Sequence, residues 1–212
     1  MKVKICGIKT VAAAHSAVQA GADFIGFVFA PSKRRITPED AALIAHSLPS
    51  QVKTVGVFVN ESTENILQIA SQVGLDYIQL HGDEPEQKAA ELPYKVIKAF
   101  PFKEEEINRI TGYSCDYYLI DSPKGNNRGG NGTTFNWALT EKLPVSRKKT
   151  ILAGGLTPEN IQQAIKMVNP AAVDVSSGVE TNGEKDPTKI RKFIKNAKQI
   201  RKDEANDHIY HA

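Results

Sequence analysis

Eight short β-branched runs alternate with amphipathic helical stretches along nearly the whole chain, and this alternation limits the possible folds more than any other feature. The runs are Val3–Cys6, Asp23–Phe29, Lys53–Val59, Asp76–Leu80, Lys95–Phe100, Asp116–Asp121, Lys149–Ala153 and Ala172–Val175. Several are almost continuously apolar, as in Phe24-Ile25-Gly26-Phe27-Val28-Phe29 and Val55-Gly56-Val57-Phe58-Val59. Strands in a parallel sheet with helices outside have this composition, because neither face meets water.

The intervening stretches carry helix signals. Thr10 precedes Val11–Ala20, which closes at Gly21 in a C-cap position. Thr37-Pro38-Glu39-Asp40 supplies a cap, a proline for the first helical position and acidic residues for the first turn. Thr157-Pro158-Glu159 predicts the same device, Ser62-Thr63-Glu64 opens another helix, and Asp186-Pro187 opens a last one running to about Lys202.

Eight strands in strict βα order are the number at which a parallel sheet closes around filled side-chain layers. The expected fold is therefore α/β, a single (β/α)8 TIM barrel over residues 1–202, followed by a polar tail, 203–212, expected to fray. An open doubly wound sheet competes, but it wants a glycine-rich turn after its first strand. Cys6-Gly7-Ile8-Lys9 lacks that turn. The 212 residues suit one domain.

Composition narrows the partners. No apolar run approaches the ~20 residues of a membrane span, and the chain enters a strand too early to leave room for a signal peptide. Cys6 and Cys115 are too few for a disulfide framework, so a reduced, cytoplasmic protein is expected. The formal net charge is only +3, with the basic residues spread along the chain. That balance suits a small anionic ligand better than nucleic acid, which asks for a basic face; no membrane partner is expected either. The longest irregular stretch, Ser122–Thr134, contains Gly125, Gly129, Gly130 and Gly132, and a loop of that length in a compact domain is usually functional.

Barrels of this class carry their chemistry where strands run into the loops that follow them. Cys6 ends the first strand and Asp121 the sixth. His81 and Gly82 follow the fourth, Gly154-Gly155 the seventh, and Asp174 with Ser176-Ser177-Gly178 finishes the eighth. Gly154, Gly155, Ser176, Ser177 and Gly178 read either as tight turns or as amide cradles for an anion, and their joint placement after strands seven and eight favours phosphate. Cys6 reads as a small buried hydrophobe or as a thiolate base with a lowered pKa. Lys4 is expected on the opposite face of that strand, which leaves the activation of Cys6 open. Asp121 reads as a cap for the glycine-rich loop, or as a general acid whose pKa burial would raise. Asp174 reads as one half of a salt bridge across the barrel mouth or as a group that orients substrate. Lys33-Arg34-Arg35 reads as a solvated loop, or as one in which an arginine clamps a planar carboxylate through paired hydrogen bonds. His81 lacks a second histidine at ligand spacing, so no metal site is expected, and no serine elbow suggests a nucleophilic triad.

Taken in order, several runs resemble the phosphoribosylanthranilate isomerases of tryptophan biosynthesis. They are Lys4-Ile5-Cys6-Gly7-Ile8, the segment 21–29, Ser32-Lys33-Arg34-Arg35-Ile36, the segment 55–60, Gln79-Leu80-His81-Gly82, the segment 154–160 and the segment 173–180. The resemblance spans about residues 3 to 198. It implies an Amadori rearrangement of N-(5′-phosphoribosyl)anthranilate to 1-(2-carboxyphenylamino)-1-deoxyribulose 5-phosphate. Asp121 matches the family's general acid, Cys6 its general base and Arg34 the arginine on the anthranilate carboxylate. His81 and Asp174 fall at substrate-contacting positions, and the strand-seven and strand-eight loops hold the phosphate. No metal or organic cofactor is implied, since the substrate nitrogen serves as the electron sink; the acting unit is a monomer or a homodimer. Asn131 and Asn136 depart from the family pattern in the loop after the acid. The related sugar isomerase of histidine biosynthesis is similar to a barrel using two aspartates, and Cys6 argues against it. The intact acid, base and phosphate loops argue against a catalytically silent sensor.

Overall fold

The computed structural model describes residues 1–101, 107–121 and 143–207. Eight parallel strands close into a barrel in sequence order, β1 (Lys2–Cys6), β2 (Phe24–Val28), β3 (Lys53–Phe58), β4 (Tyr77–Leu80), β5 (Lys95–Pro101), β6 (Tyr117–Asp121), β7 (Thr150–Ala153) and β8 (Ala172–Val175), with β8 pairing back onto β1. The expected (β/α)8 barrel is what forms. The helices outside it are α1 (Val11–Gln19), α2 (Pro38–His46), α3 (Thr63–Val73), α4 (Glu86–Glu91), α5 (Ile107–Thr111), α6 (Ile161–Val168) and α7 (Pro187–Asp207). The stretch Ser122–Thr134, Asn131 and Asn136 lie outside the described residues, as does 208–212.

Two apolar layers hold the barrel. One fills its inside with Phe24, Val55, Tyr77, Ile97, Ala99, Leu119, Ile151, Ala153 and Ala172. The other lies between strands and helices, where residues such as Ile5, Phe27, Ile66, Phe100, Ile165 and Phe193 are buried. Each inner side chain alternates with an outer one, so both faces of every strand leave water, and burial of each large side chain contributes roughly 1.5–3 kcal/mol.

Strand register is set at the N-terminal rim by a repeated device. Asp23, Asp76 and Asp116 each stand just before an even-numbered strand. Each carboxylate accepts the amide of a residue early in the preceding strand: Val3 at 2.8 Å, Thr54 at 2.9 Å and Val96 at 2.8 Å.

Thr10, Thr37 and Ser62 cap α1, α2 and α3 through their hydroxyls as expected. Thr157 does not cap a helix. Residues 157–160 form a turn in which Asn160 Oδ1 accepts the Thr157 amide, and α6 starts only at Ile161. Pro158 thus precedes the helix instead of opening it. The last helix reaches Asp207, five residues beyond the expected end near Lys202.

Candidate active site

Cys6, Gln79, Asp121 and Asp174 fall at inward-facing positions near the C-terminal ends of β1, β4, β6 and β8, and His81 follows β4. The expected site residues therefore gather at one rim of the barrel. Strand alternation dictates this, because residues two apart share a face.

The same rule corrects the expectation for Lys4. It stands two residues before Cys6 and shares its face, fully buried, with Nζ 3.1 Å from Asp174 Oδ1. The register aligns Lys4 with Asp174 across the β1–β8 closure. Asp174 is thus bridged to a neighbouring strand and not across the mouth. Gly26, paired with Cys6 on β2, makes room for this group. A Cβ there would stand 3.1 Å from both Cys6 Sγ and Lys4 Cε. Burial opposes the Lys4 charge, but the Asp174 carboxylate and the Cys6 sulfur hold its pKa above the usual lysine value. Burial pushes the Cys6 thiol above its ordinary value and Asp174 adds to the rise; Lys4 and Lys185 pull against it without reversing it, so the lowered pKa expected of Cys6 is not found in the resting site. Cys115, just before β6, is likewise pushed up by burial, to about 11, and its Sγ hydrogen-bonds to the Tyr117 carbonyl.

Asp121 ends β6 with its side chain 29% exposed, so the enclosure expected around it is incomplete. His81 Nε2 lies 3.4 Å from Asp121 Oδ2. Gln79, buried one step inside, brings its amide nitrogen to 2.8 Å from His81 Nδ1. An amide NH2 donating there pairs with the ring tautomer that carries its proton on Nε2, towards Asp121. Gln79 Oε1 is buried without a partner.

The His81 loop is pinned from outside the barrel. Lys98 on β5 and Glu84 are both buried, with Nζ 2.7 Å from Glu84 Oε2 and 2.6 Å from the Gly82 carbonyl. Glu84 also accepts the amides of Asn60 and Gly82. Burial disfavours its charge, yet the Lys98 ammonium and these amides hold the carboxyl below its ordinary value.

Arg34 lies across Gly7, where a Cβ would come within 2.6 Å of its Cδ, while Arg35 is exposed. Arg34 Nε and Nη2 each donate to Glu180 at 2.7 Å, a bidentate fork that leaves Nη1 outside the pair. Glu180 also accepts from Lys185 at 2.6 Å, and Lys185 donates to the Ser176 carbonyl at 3.0 Å. Although burial disfavours the Glu180 charge, Arg34 and Lys185 lower its pKa to about 2. A carboxylate depressed from an unfolded value near 4.5 stabilises the fold above that pH and loses the contribution as pH falls towards 2. Glu180→Gln should therefore flatten the decline of stability between pH 4.5 and 2, as read from urea unfolding at successive pH values. An unaltered slope would show that Glu180 is not held as an ion.

Glu180 and Lys185 carry no expectation from the sequence. Their signal is Asn182-Gly183, both at positive φ, which turns a hairpin of Glu180–Thr181 against Glu184–Lys185. Lys98 and Glu84 leave no such local mark.

The loops after β7 and β8 meet as expected. Gly154 and Gly155 take φ of 82° and 62°, and a Cβ on Gly178 would sit 1.8 Å from the Leu156 carbonyl oxygen. Only glycine lets the second loop close onto the first. Ser177 is exposed, whereas the Ser176 hydroxyl already donates to the Cys6 carbonyl.

The comparisons with known proteins agree with this arrangement. A family model described as N-(5′phosphoribosyl)anthranilate (PRA) isomerase matches residues 3–196. The chain belongs to the phosphoribosylanthranilate isomerase family. The N-(5′-phosphoribosyl)anthranilate isomerase of Oceanobacillus iheyensis is 54% identical over 200 residues, covering 94% of this chain and 98% of that one. A phosphoribosylanthranilate isomerase crystallised with reduced 1-(o-carboxyphenylamino)-1-deoxyribulose 5-phosphate superposes with a TM-score of 0.81 at 42% identity, over 94% of this chain and 99% of its own. A monomeric form of the dimeric isomerase from Thermotoga maritima gives 0.81 at 43% identity, over the same shares. Phosphoribosylanthranilate isomerases thus share the chain's full barrel and not merely part of it. Among the described residues no three His, Cys, Asp or Glu side chains stand close enough to hold a metal ion, and no helix is long and apolar enough to cross a membrane.

Proposed function

We propose that this chain performs the family's Amadori rearrangement in tryptophan biosynthesis, converting N-(5′-phosphoribosyl)anthranilate to 1-(2-carboxyphenylamino)-1-deoxyribulose 5-phosphate, with Asp121 as general acid and Cys6 as general base. The observation that carries this reading is the placement of Cys6 and Asp121 at the C-terminal ends of two inward-facing strands of one barrel rim. Protonated Asp121 gives its proton to the furanose ring oxygen. The C1′–O bond breaks as the nitrogen lone pair forms C1′=N. The Cys6 thiolate then takes the C2′ proton, the released pair forms C1′=C2′, and the nitrogen recovers its lone pair. The resulting enolamine takes a proton at C1′ and loses one from its C2′ hydroxyl to give the ketone. The chain's own residues supply both proton transfers, each suited to about 10²–10⁴-fold acceleration.

The other roles follow from the same rim. Arg34, its fork fixed by Glu180, offers Nη1 to the anthranilate carboxylate. His81 and Asp174 contact the sugar or the bridging nitrogen. Backbone amides of Gly154, Gly155, Ser176, Ser177 and Gly178, with the Ser177 hydroxyl, receive the phosphate. Arg34→Ala should raise KM about 10–100-fold, as expected when a hydrogen bond to a charged group worth roughly 1.5–3 kcal/mol is lost. An unchanged KM would take Arg34 out of the site. The chain works in the cytoplasm, as a monomer or as a homodimer like the Thermotoga enzyme.

The direct test generates phosphoribosylanthranilate from anthranilate and a phosphoribosyl donor, adds the protein without metal, and follows the loss of substrate fluorescence. Rapid loss that disappears in Cys6→Ala supports the reaction and the base together. No loss from folded protein would overturn the reading.

A further inference from the structure

We infer that Lys4 is the positioning residue that activates Cys6, its buried ammonium standing as one cation shared between the Asp174 carboxylate and the Cys6 sulfur. The inference rests on Cys6 being the general base. Three observations carry it. Lys4 is fully buried on the same strand face as Cys6, two residues away. Its Nζ is anchored 3.1 Å from Asp174 Oδ1, on the strand aligned with it. Gly26 leaves its Cβ space open, and the ends of Lys4 and Cys6 both crowd into that space.

A lysine inside a barrel needs a reason, because an ammonium gives up its hydration on burial. One carboxylate would neutralise it. The pair could equally be replaced by apolar side chains of the same volume, at little cost or even a gain in stability. What an apolar pair does not supply is a positive charge beside the sulfur when the thiol gives up its proton. With Lys4 in place, the ionised Cys6 is the second anion around one cation, so the three groups together carry one net negative charge instead of the two that Asp174 and the thiolate would carry alone. Asp174 then acts in two directions: it fixes the ammonium within reach and keeps the thiolate from becoming too weak a base. The other charges acting on Cys6 come from Lys185 on the hairpin and Arg34 after β2. Glu180 pairs with both of these, so Lys4 is the cation whose partner is itself part of the sulfur's surroundings.

The test reads the sulfur directly and does not depend on turnover. In Cys115→Ser protein labelled with 13C at cysteine Cβ, one resonance reports the ionisation of Cys6. Lys4→Met should move its midpoint up by about one pH unit or more, the lower end of what an opposite charge at close range does. Lys4→Arg, which keeps the charge, should restore part of the shift. The basic limb of kcat/KM should move with the same variants. Coincident curves for parent and Lys4→Met, whether titrating or flat, overturn the inference. If Lys4→Met does not fold, lysine labelled at Cε answers instead in the Cys115→Ser protein. The Lys4 resonance should shift as Cys6 ionises and stay fixed when Cys6→Ala is added; a resonance indifferent to Cys6 overturns the inference as well. Full turnover by Cys6→Ala would remove the base assignment whatever the midpoints show, so the two failures are told apart.

Discussion

Cys6→Ser and Asp121→Asn should each lower kcat by about 10²–10⁴-fold, the contribution of a single positioned acid or base, without unfolding the barrel. Serine fits the space that Gly26 leaves beside the sulfur, but its hydroxyl does not ionise near neutral pH. Asparagine keeps the shape of Asp121 and a polar contact for His81, but it has no acidic proton to give. The two variants fail at different steps, and this separates them. With substrate deuterated at C2′, Cys6→Ser should show a large primary isotope effect, because proton removal limits it. Asp121→Asn should suppress the effect, because ring opening comes first. Near-parental turnover in either variant would remove that residue from the mechanism, and equal isotope effects would contradict the assignment of separate steps.

The largest loss of stability is expected at Lys98. Lys98→Met leaves the Glu84 carboxylate buried with its backbone amides but without its cation, and an uncompensated buried charge of this kind costs about 3–5 kcal/mol. The side chains of the pair are 0% and 1% exposed, so water does not screen the loss. Because the pair also holds the Gly82 carbonyl and amide, the His81 loop should loosen with it, and kcat should fall further than a simple loss of folded protein explains. Urea unfolding of Lys98→Met, of Glu84→Gln and of the two combined measures the coupling. The double variant should lose less than the sum of the two single variants. A loss under about 1 kcal/mol in Lys98→Met would place this pair with ordinary exposed salt bridges.

Much of this architecture can be read without coordinates. The eight strands declare themselves because both faces of each are buried, which makes runs such as 24–29 and 55–59 almost wholly apolar. Cys6, Asp121 and Asp174 stand out because they are polar or reactive residues at the ends of such runs. What is not legible depends on neighbours distant in sequence. Arg34 and Glu180 are 146 residues apart, and Lys4 and Asp174 are 170 apart; no local period links them. Lys4 is a different case, since the two-residue repeat of a strand places it beside Cys6 and the opposite-face expectation misapplies that repeat. The start of α6 is a local competition: Asn160 takes the Thr157 amide, so the turn wins over an earlier helix start.

The three aspartates before β2, β4 and β6 reach back only 20 to 22 residues. Alignment of the strands is thus written at one rim, in short local instructions, while the chemistry is written at the other. A change of loop at the mouth leaves those instructions intact, so the barrel separates what must stay aligned from what is free to diversify.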